Sequence, residues 1–175
     1  MSTATATPPH PDWIEQERQV RARARGPGVV STEELRRYTG IEFFRKMLAG
    51  ELPYPPMCDT LGFILIEVDV GRAVFQGTPQ QRHYNPIGSV HGGFHATLLD
   101  SCVGVAVHST LAVGQGYTTL EIKVNYVRAL TDTVGPVRAE GRIIHSGRSV
   151  RTAEGRLVDR DGRLYAHTTT TCLVI

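Results

Sequence analysis

The sequence is poor in cysteine, in lysine and in excess charge. Its 175 residues contain three cysteines, Cys58, Cys102 and Cys172, and no Cys-x-x-Cys pair. So few cysteines, in an odd number, argue against a disulfide framework and are typical of a protein from a reducing compartment. Lysine occurs only at Lys46 and Lys123, and 19 basic residues against 17 acidic ones leave a net charge of +2. This small excess does not favour polyanion binding, so we expect a cytoplasmic protein without a nucleic-acid partner.

The sequence also lacks a recognisable targeting segment and an uninterrupted membrane span. Its start, MSTATATPPHPDW, contains no apolar run of the kind found in secretory signals. The most apolar stretch, residues 94–113, holds His95, Asp100 and His108. A carboxylate there would cost roughly 2.5–3.5 kcal/mol on insertion into a bilayer. We interpret the stretch as a buried helix, apolar nearly all round, and expect no membrane association.

Composition divides the chain near residue 40. Residues 1–39 are interpreted as an N-terminal extension, partly helical or flexible, with a short exposed helix over residues 12–25. The basic run RARAR in that helix is compatible with a solvated helix end and with a patch for nucleic acid or lipid. The motifs that carry chemistry all lie in residues 40–175, where we place the compact domain. We therefore expect removal of residues 1–30 to leave the activity largely intact.

Capping signals and alternation predict an α+β domain. Ser31 with Glu34 and Thr39 with Glu42 have the spacing of helix capping boxes, and we expect a stiff extended connector at residues 52–56. An apolar helix at about residues 90–112 is accompanied by strands, which predicts an antiparallel sheet wrapped around one long buried helix. The edges of such a sheet favour pairing with a second copy, so we expect a homo-oligomer. The alternation typical of half-buried strands occurs over residues 61–70, 73–78, 119–128, 137–145, 149–158 and 164–174.

Two glycines and one carboxylate of the apolar helix point to chemistry. Gly92 and Gly93 open the helix, where unpaired N–H groups and the macrodipole would stabilise an oxyanion by about 2.7–4 kcal/mol per donor. The same glycines also suit an ordinary helix start that needs close packing. Asp100 is the only carboxylate between Asp69 and Glu121. Desolvation would make it a stronger base, although a buried ion pair or an interface cap would also account for it.

Polar residues around the helix start leave further alternatives open. Asn85 could donate to a carbonyl or hold a water, and Asn85-Pro86 is also a common turn. His91 and His95 are four residues apart, but no third ligand has a metal-binding spacing, so we predict no metal site. We expect His91 to brace the helix start through a hydrogen bond. We interpret Cys102 as a small core residue.

The same residues resemble a known family. His91-Gly92-Gly93, with Asp100 nine positions after the histidine and Asn85 six before it, is similar to the motif of the PaaI-type branch of the hotdog-fold acyl-CoA thioesterases. The resemblance runs from about Gly40 to the C-terminus and includes the segments GELP at residues 50–53 and GYTT at residues 116–119. It implies the hotdog fold and the hydrolysis of acyl- or aryl-CoA thioesters to the free acid and CoA.

The resemblance also implies roles for individual residues. Asp100 matches the catalytic carboxylate, which acts as the nucleophile or as the base that activates water. Gly92 matches the residue whose N–H polarises the thioester carbonyl. Asn85 matches the amide that holds the thioester or the water, and His91 matches a supporting histidine. Thr118 stands where related enzymes use Ser or Thr to position the attacking water.

Substrate-binding residues and partners are implied in the same way. We expect Gly93 and the turn formed by Gly147, Arg148 and Ser149 to contact the substrate, because this turn resembles the family's turn near the nucleotide and pantetheine arm. Arg148 suits bidentate phosphate recognition, and it could equally be an exposed hairpin arginine. In related enzymes the carboxylate and the Asn-Gly pair often come from different subunits. The resemblance thus implies a homodimer or homotetramer with active sites at the interface, and no cofactor beyond the CoA of the substrate.

Two other functions stay open from the sequence. An enoyl-thioester hydratase needs a histidine acting with an acidic residue, and His91 and Asp100 supply those residue types. A non-catalytic acyl-CoA-binding protein would not need the isolated carboxylate of Asp100. Release of free CoA, hydration of crotonyl-CoA, or tight binding without turnover would distinguish the three.

Overall fold

The computed structural model describes residues 12–175. Residues 1–11, the start of the predicted extension, lie outside the described part of the chain. Besides two short 3-10 turns, Gln81–His83 and Asp132–Val134, the described part contains α-helices and strands. The helices are α1 (Trp13–Arg23), α2 (Thr32–Leu35), α3 (Gly40–Leu48), α4 (Pro56–Leu61) and α5 (Gly92–His108).

The strands form a single antiparallel sheet. Its order is β1-β2-β4-β5-β6-β3, so β1 and β3 are the edges. The hairpin β1–β2 comes before α5 in the chain and the other four strands follow it, as the alternation predicts. The α+β hotdog architecture is confirmed. The strands are β1 (Phe63–Asp69), β2 (Arg72–Gly77), β3 (Tyr117–Tyr126), β4 (Val137–Ser146), β5 (Val150–Val158) and β6 (Leu164–Val174).

Helix α5 packs closely against the sheet on one of its sides. Leu98, Leu99, Cys102 and Val103 have no exposed surface because they face the strands. The approach is so close that a Cβ atom on Gly141 of β4 would overlap the Cys102 carbonyl oxygen. The opposite side of α5 is open in the single chain, and Gly93 and Asp100 are exposed there. The prediction of a long buried helix against the sheet is confirmed, and only this one side is left open in the single chain.

The capping signals correctly predict the starts of α2 and α3, but they do not predict α4. The Thr39 hydroxyl accepts from the Glu42 N–H at 3.4 Å and the Glu42 carboxylate accepts from the Thr39 N–H at 2.9 Å, which confirms that capping box. In the other pair, the Ser31 hydroxyl accepts from the Glu34 N–H at 3.1 Å. The predicted connector continues into α4, which begins at Pro56, because proline is well suited to a first helical turn where its missing N–H costs nothing.

Helix α1 packs on the outer face of the sheet. Val20 is 4% exposed and contacts Ile64 and Ile66 of β1. The Arg138 guanidinium lies 4.4 Å from the ring centroid of Trp13 and donates to the Gln16 side chain at 2.7 Å. The part of the extension from residue 12 onward is thus integrated with the sheet. None of the helices in residues 12–175 is both long enough and apolar enough to cross a bilayer.

Candidate active site

The N-terminus of α5 presents one unengaged backbone donor. His91 is the N-cap, and its Nδ1 atom accepts from the Gly93 N–H at 2.8 Å, which confirms that His91 braces the helix start. The Gly92 N–H has no acceptor among residues 12–175. Because the macrodipole makes this end of the helix partly positive, the Gly92 N–H is suited to an oxygen that carries negative charge.

An open cleft borders this helix end. Its volume is about 470 Å³, and Gly92, His95 and Tyr126 are among the residues that line it. The Tyr126 hydroxyl donates to the Gly92 carbonyl at 3.1 Å. A Cβ atom on Gly92 would lie 3.1 Å from the Tyr126 ring, so glycine is what allows the ring to approach. Burial lowers the pKa of His95, which favours a neutral imidazole in the wall of the cleft.

The Asn85 side chain closes the turn before α5. Its Oδ1 atom accepts from the Ile87 N–H at 3.1 Å and from the Ser89 N–H at 3.2 Å. Its amide nitrogen donates to the Ser89 hydroxyl at 3.0 Å. This is the local turn geometry that asparagine favours. One of the two amide hydrogens, which an Asn side chain carries, is left for a further acceptor.

Asp100 lies midway along the open side of α5 and borders a second, mainly apolar cavity of about 410 Å³. Its carboxylate forms no hydrogen bond or ion pair within residues 12–175, and desolvation alone raises its pKa above the ordinary value of 3.8. A carboxylate without a partner, next to an apolar cavity, is a stronger base than one in bulk water. The isolation of Asp100 in the sequence thus corresponds to isolation in space.

Two residues at this cavity were missed by the motif analysis. Burial lowers the pKa of His108 to about 4, so its imidazole is neutral at neutral pH. Burial, with smaller effects from Cys172 and Asp100, raises the pKa of Tyr117, which stays a phenol. The rings of His108 and Tyr117 lie 5.4 Å apart. His108 had one signal in the sequence, since it is a titratable residue in an apolar helix, and Tyr117 lies in the GYTT segment of the resemblance, where no role was assigned to it.

The remaining predicted site residues lie at the strand ends. Thr118 is exposed on β3, opposite Leu173 of β6. Since successive strand residues point to opposite faces and Tyr117 points toward Gly104 of α5, Thr118 points away from α5. Arg148 is exposed in the β4–β5 turn and forms no ion pair within the described chain. This turn adjoins the end of β6, because the Ser149 carbonyl accepts from the Val174 N–H at 2.9 Å, and Val174 in turn pairs with Tyr117 at the start of β3.

One chain does not bring all of these groups together. Gly92 and Asp100 belong to the same helix, and eight residues correspond to about 12 Å along its axis. Gly92 lines the cleft and Asp100 lines the cavity, and the two linings share no residue. A single thioester carbonyl cannot contact both groups of one chain. Within residues 12–175 there is also no cluster of three His, Cys, Asp or Glu side chains that could hold a metal ion.

Comparison with known proteins gives a consistent result. Residues 87–166 match the sequence model of the thioesterase superfamily. The crystal structure of a phenylacetic acid degradation-related protein from Ralstonia eutropha superposes with a TM-score of 0.68 and 32% identity, over 75% of this chain and 98% of that one. A variant of the phenylacetic acid degradation protein PaaI from Thermus thermophilus superposes with a TM-score of 0.61 and 28% identity, over 67% of this chain and 97% of that one.

A curated relative also has a substrate in its name. The 1,4-dihydroxy-2-naphthoyl-CoA hydrolase of Listeria monocytogenes is 26% identical over 106 residues, which are 61% of this chain and 85% of the relative. The similar structures include PaaI-type proteins, and the match to the superfamily model runs through the segment that contains Gly92 and Asp100.

Proposed function

The chain belongs to the thioesterase superfamily with the hotdog fold, and from this premise we propose that it hydrolyses acyl- or aryl-CoA thioesters to the free acid and CoA. The observation that carries the proposal is Asp100, an unpaired carboxylate of raised pKa on the open side of α5, at the rim of an apolar cavity. An apolar acyl group fits the cavity, and the carboxylate at its rim is the group that hydrolysis requires.

In the proposed reaction, Asp100 promotes the attack of water on the thioester carbonyl. As a general base it takes a proton from the water while the water oxygen bonds to the carbonyl carbon. The carbon–sulfur bond then breaks, CoA leaves as the thiolate, and the proton held by Asp100 returns to the solvent or to the thiolate. As a nucleophile, Asp100 would instead bond to the carbonyl carbon and expel the CoA thiolate, and water would then hydrolyse the resulting anhydride to the free acid and the Asp100 carboxylate. Desolvation raises the pKa of Asp100, which makes its carboxylate a stronger base than one in bulk water.

We place the thioester carbonyl at the N-terminus of α5. His91 occupies the Gly93 N–H and leaves the Gly92 N–H free, so one donor is directed at a developing oxyanion, a contribution of about 2.7–4 kcal/mol. The hydrogen that the Asn85 amide has left supports a second contact to the thioester or to the water. Because the Nδ1 atom of His91 is engaged in capping, a structural role for His91 is favoured over a hydratase role.

We propose that the active site lies between two copies of the chain. Because Gly92 and Asp100 of one chain are about 12 Å apart along α5, a second copy must bring its Gly92 and Asn85 to Asp100. The β3 edge of the sheet is free for this contact: Leu120 and Tyr126 are 57% and 53% exposed. An unpaired edge strand with apolar side chains is a ready surface for pairing. A homodimer, alone or within a homotetramer, is then the smallest active unit.

The other proposed contacts follow from placement around this interface. Thr118 lies on the same free edge and points away from its own α5, so we assign it to the positioning of water in the partner's site. Gly93 borders the proposed carbonyl position. Exposed Arg148, with Gly147 and Ser149 in its turn, is proposed to bind a CoA phosphate. The mechanism uses no metal or other cofactor, and the three buried free thiols, among them Cys58, support a cytoplasmic location.

Thiol release from a panel of CoA esters tests the proposal. We expect the protein to hydrolyse at least one ester among short, medium and long acyl, phenylacetyl and hydroxybenzoyl CoA. Asp100→Asn should lower turnover by at least about 100-fold, since general acid–base groups contribute roughly 10²–10⁴-fold. The control is Asp161→Asn, a carboxylate of the β5–β6 turn that pairs with Arg163, which should keep full activity.

Two results would contradict this function. An Asp100→Asn variant that kept half of the wild-type activity would show that the carboxylate is not required by the mechanism. Tight binding of CoA esters by the wild-type protein with no thiol release would support the non-catalytic binding function instead.

A further inference from the structure

The cavity beside Asp100 has two chemically different walls. Asp100, Ser101 and His108 of α5 and Tyr117 of β3 form one wall, which contains its titratable side chains other than a buried thiol. The rest of the lining consists mainly of Val, Leu, Phe, Met and Pro side chains. They come largely from residues 28–58, which we call the N-terminal wall. It lies entirely outside residues 87–166, the segment that matches the superfamily.

Hydrogen bonds and ring contacts fix the N-terminal wall to the domain. The Gly28 N–H donates to the Tyr54 carbonyl at 2.9 Å, which holds the chain entering the wall against the segment leaving it. The Gly40 N–H donates to the Leu111 carbonyl at 3.0 Å. The Phe43 ring stacks on His108, with centroids 5.8 Å apart. The cavity is therefore preformed, which reduces the entropy lost on binding.

The lining is suited to one kind of occupant. Its volume, about 410 Å³, is in the range of roughly 300–1,000 Å³ typical of small-molecule pockets. Val29 and Met57 border the cavity and are 86% and 53% exposed in the single chain, which marks its open end. No Lys or Arg lines it, and its one charged side chain is Asp100. A second carboxylate inside it would be desolvated and would face a like charge.

We propose that the N-terminal wall is the specificity determinant of the enzyme: it binds an uncharged, apolar acyl group of medium length beside Asp100 and rejects acyl groups that end in a carboxylate. This inference rests on the proposed function. Val30 and Leu35, both half-buried in the wall, set the depth that the acyl group can reach. Each added methylene that contacts the wall contributes to binding, up to the length at which the cavity is full.

The test measures kcat/KM for acetyl-, hexanoyl-, decanoyl- and adipoyl-CoA. Hexanoyl and adipoyl have the same number of carbons and differ in the terminal carboxylate. We expect the wild type to prefer hexanoyl over adipoyl by about 100-fold or more, because the charged group would lose its hydration without a partner. Val30→Phe should lower the ratio of decanoyl to acetyl turnover by about tenfold or more. Leu35→Ala, which enlarges the cavity, should raise that ratio.

Val70→Phe is the matched control, because Val70 is a valine 65% exposed on the β1–β2 turn and does not line the cavity. It should leave every ratio unchanged. Decanoyl-to-acetyl ratios within twofold of wild type in both wall variants, or equal turnover of hexanoyl- and adipoyl-CoA, would overturn the role of the wall and leave the hydrolase function standing. No turnover of any CoA ester by the wild type would overturn the proposed function, and this inference with it.

Discussion

Asp100 shows how much a single residue reveals in the sequence and how much needs the fold. Its isolation among apolar neighbours identified it as a candidate. The sequence could not specify its surroundings, since a buried ion pair, a pocket and a subunit interface were all compatible with it. The cavity at its side is made largely by residues 28–58, which are distant in the chain. Tyr117 and His108 border the same cavity and were missed for the same reason, because their proximity depends on tertiary packing.

The raised pKa of Asp100 leads to a pH prediction. Desolvation stabilises the protonated form, so Asp100 keeps its proton to a higher pH than the ordinary value of 3.8. Catalysis requires the ionised carboxylate, so we expect kcat/KM to fall on acidification through a midpoint above pH 3.8. The measurement is the pH profile of kcat/KM between pH 3.5 and 8, for an ester that the enzyme hydrolyses, with circular dichroism at each pH as a control for folding. A midpoint at or below 3.8 would contradict a desolvated base.

At the scale of elements, local sequence patterns correctly predicted the positions of the strands. They did not predict helix α4 or the packing of helix α1. All six strands lie where alternation placed them, and Thr39 with Glu42 caps α3. Helix α4 was missed because a proline-rich segment is usually extended. Pro56 instead stands in the first turn of a helix, a position to which proline is well suited. The packing of α1 was missed because its few apolar positions predict an exposed helix. Val20 is its buried apolar side chain, and polar contacts with Arg138 and Gln76 of the sheet add to the packing.

The position of α1 changes the expectation for the N-terminus. Removal of residues 1–30 would expose Ile64 and Ile66 of β1, which contact Val20, and would remove Val29 and Val30 from the cavity. We therefore expect this truncation to lower both the stability and the turnover of long acyl groups. That replaces the expectation, from the sequence, of an activity largely intact.

The single substitution Val20→Ala tests how much the packing of α1 on β1 contributes to stability. The loss of two buried methyl groups should lower the free energy of unfolding by about 1.5 kcal/mol, at roughly 0.8 kcal/mol per buried group. Equilibrium urea unfolding measures the change, and Val70→Ala, an exposed valine, is the control that should alter stability little. A Val20→Ala protein as stable as the wild type would mean that α1 is not held by its apolar contact.

At the scale of the whole molecule, the two edges of the sheet differ. Helices α1, α3 and α4 all contact β1, so that edge strand is packed against helices. Within residues 12–175, strand β3 makes nearly all of its contacts with β6 and α5, and its outward side is free. The sequence predicted an oligomer from the existence of edges. It could not say which edge is open, because the covering of β1 comes from helices whose packing was not visible in local patterns.

A charge placed on the β3 edge tests whether the active site needs two chains. Leu120 lies at the irregularity of β3 between Thr119 and Glu121 and is 57% exposed. Leu120→Lys would place two like charges near each other in a symmetric β3–β3 contact and would require their desolvation, which weakens association. We expect the variant to dissociate on dilution and its specific activity to fall with the dimer fraction, measured by sedimentation velocity and thiol release over the same concentrations.

Val70→Lys, at the turn beside the covered edge, should keep the wild-type assembly and activity. Full specific activity in a monomeric Leu120→Lys protein would contradict a shared site, because the Gly92 N–H and Asp100 would then have to act within one chain, about 12 Å apart along α5.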